Sequence, residues 1–196
     1  MSKVQSQSDR EHEAPVEEVD QAVAGALVPF VGHSGVRVLG AVSDLSDQEP
    51  IYAGAAAMLV TAVALRDSRT WRAGTRLLAA HLLATGLRGV VKQMVDRTRP
   101  DAAAKRGEYV LRKGQRYESD FNSFPSGHAA GAVAVACAVG RSYPASRHVA
   151  LGLAAAAGVA QVVRSKHYVS DVVAGAVIGW AAHMILDALI RRAEQV

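Results

Sequence analysis

Six stretches nearly free of Asp, Glu, Lys and Arg follow one another along a chain of 196 residues: 21–36, 51–65, 77–87, 122–140, 148–163 and 172–186. Each is compatible with a helix. None reaches the roughly 20 consecutive apolar residues of an unambiguous membrane span, so hydropathy leaves a soluble helical bundle open as the alternative. Six in succession, however, joined by short charged connections, would leave a soluble protein of this size little polar helix face to turn to water. The expected fold is all-α, a polytopic membrane bundle of about six helices. Hydrophobic residues make up 50% of the chain and aromatics only 5%, a balance that favours closely packed helices over sheet. One domain over residues 21–196 accounts for the length. Residues 1–20 are polar, carry Glu11, Glu13, Glu17, Glu18 and Asp20, lack the order of a secretory signal, and are expected to form a poorly ordered tail.

Net charge is +4 and the isoelectric point about 9.5, but the basic residues are scattered between apolar segments and form no nucleic-acid-binding patch. The single Cys137 excludes an internal disulfide and reads as a packing residue. If the segments alternate across a bilayer, one side collects Arg66, Arg69, Arg72, Arg76, Arg141, Arg147, Arg191 and Arg192. Short cytoplasmic loops are enriched in Lys and Arg, so that side is expected to be cytoplasmic, together with both termini. The other side receives the acidic connection Ser43–Pro50, the long loop after Asp96 and the turn before Asp171.

Three polar clusters close or open apolar segments on this second side. Lys92 and Arg99 are two helical turns apart and can share one anion, with Pro100 ending the helix; Arg88 and Asp96 also allow a self-paired helix end. In Pro125, Ser126, Gly127 and His128, Ser126 can cap a helix, Gly127 leaves its backbone N–H open to a phosphate, and His128 can act as a general acid; an ordinary helix start is the alternative. His167 with Asp171 four residues on has the spacing for an oriented nucleophilic imidazole, or for a loop histidine and a helix cap.

Taken together, Lys-x6-Arg-Pro, Pro-Ser-Gly-His and His-x3-Asp in this order closely resemble the type 2 phosphatidic acid phosphatase family over about residues 92–175. The resemblance implies a metal-independent, cofactor-free membrane phosphatase acting on a lipid phosphate such as phosphatidate, phosphatidylglycerophosphate or a polyprenyl diphosphate. It implies that His167 is the nucleophile, Asp171 its orienting partner and His128 the acid, with Lys92, Arg99, Ser126 and Gly127 holding the phosphate. Vanadium-dependent haloperoxidases resemble the same motifs but are larger and soluble. A membrane scaffold with an unused pocket is the non-enzymatic alternative.

The chain departs from the pattern at one place. Ala160 and Gln161 stand where the third motif carries Ser-Arg, and Arg164, one turn further on, is expected to reach the phosphate instead. His33, His81 and His183 lie in apolar runs and read as satisfied packing histidines, and His12 and His148 have equally bland readings. Trp71, beside Arg72, fits a membrane interface better than Trp180 does. Gly175 and Gly179 have the spacing of a close helix contact.

Overall fold

The computed structural model describes residues 15–114 and 118–195. Helix α1 runs Pro15–Leu27 and passes through a short turn into α2, Ser34–Asp44. Four residues on, α3 (Gln48–Leu65) and α4 (Ser68–Lys92) form an antiparallel pair. Arg66 breaks α3 in the left-handed region at φ 52°, and the Asp67 side chain caps α4 by accepting the Arg69 N–H at 2.8 Å. After α4 come β1 (Val95–Arg97), the short α5 (Pro100–Arg106) and β2 (Leu111–Lys113). The two strands pair antiparallel, Val95 opposite Lys113, in a small ribbon at one end of an otherwise helical bundle. Helices α6 (Gly127–Ser142), α7 (Arg147–Val163) and α8 (Val169–Ala193) complete the fold.

The core is built from alanine. Ala80, Ala84, Ala134, Ala138 and Ala182 are fully buried among Ile51 and Leu77, because side chains this small let α4, α6 and α8 approach closely. The larger apolar residues point outward: Val60, Val63, Leu82, Val149, Leu153, Val177 and Leu189 are all exposed. An apolar surface around a small-residue interior is the distribution a bilayer demands. Among the described residues, α3, residues Pro144–Val163 and α8 are long and apolar enough to cross a membrane by themselves. The fold is a polytopic membrane bundle.

Two expectations change. The supposed tail is helical from Pro15, and Asp20 is buried at 3% exposure because it pairs with Arg97; residues 1–14 lie outside the described residues. The first apolar segment is bent by 113° between α1 and α2 and does not run the length of the bundle. Asp20 binds Ser170 at the start of α8, while Asp44 at the end of α2 binds Arg164 at the end of α7. Since α7 and α8 are joined there by a short turn, both ends of the α1–α2 pair sit at the same end of the molecule.

Candidate active site

The three polar clusters meet at the end of the bundle that carries the ribbon. Close packing of α6 on α8 brings two of them together: a Cβ at Gly175 would overlap the Ser126 carbonyl oxygen, and one at Gly179 would overlap that of Ala130. The Gly175 and Gly179 spacing thus serves a contact within the chain. It allows the Ser126 N–H to donate to the Asp171 carbonyl at 3.0 Å. The Ser126 hydroxyl caps α6 on Ala129 N–H at 3.4 Å.

The His167 ring is 4% exposed, and its Nδ1 lies 2.7 Å from the Ser123 carbonyl oxygen. A carbonyl can only accept, so Nδ1 carries a hydrogen, and in the neutral ring the lone pair lies on Nε2. The Asp171 carboxylate is more distant, 3.7 Å from Nδ1. Its oxygens are taken up by Ser123 Oγ at 2.5 Å, the Tyr168 N–H at 2.9 Å and Arg97 Nη1 at 2.6 Å. The Ser123 carbonyl is thus the nearer partner of the ring and the Asp171 carboxylate the more distant one.

Arg97 and Ser123 escaped the sequence reading. Arg97 is 2% exposed, binds Asp171 and Asp20 with its two Nη atoms, and has its guanidinium 4.2 Å from the Tyr168 ring centroid. Burial by itself pulls its pKa down, but Asp171 and Asp20 more than offset that and raise it. The one available sequence signal was a basic residue two positions before Arg99, masked by neighbouring charges. Ser123 receives its position from the ribbon, donating its N–H to the Arg97 carbonyl at 3.0 Å.

A cavity of about 430 Å³ opens beside His167, lined also by Arg88, Arg99, Gly127, His128, Arg164 and Lys166. Arg88 Nε donates to the Pro125 carbonyl at 3.3 Å. Arg99 contributes a buried Nε with no hydrogen-bond partner among the described residues. Lys166 is held by Asp101 at 2.7 Å. Lys92, at the last position of α4, does not line the cavity. Burial, then the charges of Arg88 and Arg99, push its pKa down to about 8.

The outer wall of the cavity comes from the α2–α3 connection. Asp47 Oδ1 is 2.7 Å from His128 Nε2, and Asp44 Oδ1 is 2.6 Å from Arg164 Nη1, which also donates to the Gly40 carbonyl at 3.4 Å. Burial lowers the His128 pKa, Asp47 acts against that, and His167 adds to the decrease. Asp44, Asp47 and His128 bring ligand-type atoms within 4.8 Å of one another, and each carboxylate also has a protein partner, Asp47 in His128 and Asp44 in Arg164. Gln161 Nε2 donates to Ser43 Oγ at 2.7 Å. His81 also lines the cavity, and neither of its ring nitrogens has a hydrogen-bond partner among the described residues.

A family model described as the PAP2 superfamily matches residues 73–193, well over half of the chain. The chain belongs to that superfamily. The PAP2 assignment covers all three motifs but stops short of the α2–α3 connection. No curated protein sequence matches this PAP2 chain closely enough to count as a relative. Two solved structures share its fold. The first transmembrane PAP2 type phosphatidylglycerolphosphate phosphatase from Bacillus subtilis superposes with a TM-score of 0.72 at 21% identity, over 94% of this chain and 90% of that one. Aquifex aeolicus LpxE gives 0.63 at 19% identity, over 90% and 96%.

Proposed function

We propose that this PAP2 protein is an integral membrane phosphatase that hydrolyses a lipid phosphate through a phosphohistidine on His167. The observation that carries the reading is the Nδ1 contact of His167 with the Ser123 carbonyl, which in the neutral ring puts the lone pair on Nε2, in a cavity lined by cationic groups. A phosphoryl group needs positioning and charge neutralisation more than covalent assistance; Arg99, Arg88 and the N-terminus of α6 at Gly127 supply both from the cavity wall, and Lys92, whose charge is felt by Arg88 and Arg99, adds to the positive field behind them. In the first step the His167 Nε2–P bond forms as the bond to the leaving oxygen breaks, and His128 protonates that oxygen. Water then attacks phosphorus, His128 takes its proton, and phosphate leaves. No step calls for a metal.

The substrate class is a phosphomonoester or diphosphate of a membrane lipid, whose tail stays in the bilayer while the phosphate enters a site at the bundle's end. The phosphatidylglycerolphosphate phosphatase of like fold supports a lipid monophosphate. The basic residues Arg66, Arg69, Arg72, Arg141, Arg147, Arg191 and Arg192 gather at the opposite end of the bundle, which favours an extracytoplasmic active site.

The test is phosphate release from a panel of phosphatidate, phosphatidylglycerophosphate and a polyprenyl diphosphate, with wild type and His167→Ala in detergent. At least one substrate should be turned over, with the variant slower by on the order of a thousandfold or more. Release by neither protein points to a scaffold, and halide oxidation by peroxide with vanadate points to a haloperoxidase.

A further inference from the structure

Asp47 belongs to the purely acidic connection Ser43–Pro50, whose sequence suggests only which side of the membrane it lies on. In the fold it precedes α3 as its N-cap residue, reaches the cavity that holds His167, and pairs with His128 through Oδ1 and Nε2 at 2.7 Å. It stands outside the superfamily match at residues 73–193, and no motif of the chain includes it. A general acid must satisfy two demands: it has to hold a proton before the bond breaks, and its ring has to be fixed with that proton on a known nitrogen. A carboxylate at hydrogen-bond distance meets both, favouring the imidazolium and defining its orientation.

Resting on the phosphatase reading above, we infer that Asp47 is a positioning residue for the general acid, keeping a proton on Nε2 of His128 until the leaving oxygen takes it. As the His167 Nε2–P bond forms and the P–O bond breaks, the electron pair passes to the leaving oxygen. The growing negative charge there competes with the Asp47 carboxylate for the same N–H. The Asp47 side chain is 47% exposed and free to give way. The proton moves to oxygen, the alcohol departs, and His128 is left neutral. When water later attacks phosphorus and the N–P bond breaks, the proton that water gives up returns to His128, and Asp47 holds the imidazolium again. Asp44 performs the parallel service for Arg164, so the connection supplies one counter-charge to each of two outer cations.

Asp47→Asn keeps the shape and an acceptor oxygen but removes the charge. The experiment compares a lipid alkyl phosphate with p-nitrophenyl phosphate, whose nitrophenolate departs without needing a proton. On the alkyl substrate kcat should fall by about tenfold to a hundredfold, and the loss should exceed that on the aryl substrate by about tenfold. Asp47→Glu should recover part of the alkyl activity. His128→Ala should show the same selective pattern, and adding Asp47→Asn to it should cost no more. Unchanged activity, equal losses on both substrates, or additive losses in the double variant would overturn the inference. A wild type that turns over neither substrate overturns the phosphatase reading itself, and this inference with it. Measuring wild type first keeps the two failures apart.

Discussion

Arg97 and Asp171 are joined by a 2.6 Å contact between side chains that are 3% and 0% exposed, and the same guanidinium holds Asp20 of the first helix at 2.8 Å. One arginine thus ties the surroundings of His167 to an element from the far end of the sequence. Removing it leaves two carboxylates buried without a counter-charge. Arg97→Ala should cost on the order of 3–5 kcal/mol, read as a fall in thermal stability in detergent. Arg97→Lys keeps the charge but lacks the fork that spans both carboxylates, and should lower kcat with little change in KM.

Gly175 decides how closely the phosphate cradle approaches Asp171. A methyl group there would overlap the Ser126 carbonyl, so Gly175→Ala must push α6 away from α8. A stability loss of about 1–3 kcal/mol is expected, together with reduced turnover as Ser126 and His128 move away from His167. Gly86→Ala is the control: nothing lies within 4 Å of a Cβ at Gly86, and alanine is the better helix former, so its melting temperature should hold or rise.

Arg164 lines the cavity but is tethered by Asp44 on the rim. If it replaces the guanidinium absent at Gln161, Arg164→Ala should raise KM for a lipid phosphate by about tenfold, the weight of one charge-assisted contact. Asp44→Asn frees the guanidinium and should lower KM. Full activity with unchanged KM in Arg164→Ala removes this role.

Lys92 sets an alkaline limit. Its pKa is pushed down to about 8 by burial, Arg88 and Arg99, so the ammonium is present at pH 7 and is lost as pH rises through that value. A lysine needed to hold an anion is needed charged, so kcat/KM should fall on the alkaline side near pH 8. Lys92→Arg, which stays charged, should carry the falling limb to higher pH. A limb at the same pH in both proteins assigns it to another group.

Chelation provides a test of metal independence. The carboxylates of Asp44 and Asp47 already face Arg164 and His128, so EDTA treatment should leave the rate of phosphate release unchanged. Loss of activity restored by a divalent ion would show that these residues bind a metal in the working enzyme.

Much of the site was legible because helix ends are local events. The Ser126 cap and the charge-free runs mark where helices stop and start, and Lys92, Arg99, His128 and His167 all fall at such ends; the expected single helix through Lys92 and Arg99 does not form, because α4 ends at Lys92, β1 follows, and Pro100 begins α5 with Arg99 as its N-cap. Their common side follows from alternation of long helices. The first apolar segment looked like a sixth member of that series because its composition matches a span, yet it bends back on itself. Composition reports the solvent a segment tolerates, whereas its path depends on what its ends bind.

What the sequence determined by itself, then, was the helical membrane architecture and the three polar motifs at helix ends, since both rest on short-range periodicity and spacing. The tertiary structure alone decided the partners: Ser123 for His167, Arg97 for Asp171 and Asp20, Asp47 for His128 and Asp44 for Arg164. Arg97 and Asp20 are 77 positions apart. Pairings over such distances are fixed by how the helices pack, and a charged side chain in a sequence carries no mark of which counter-charge packing will bring to it.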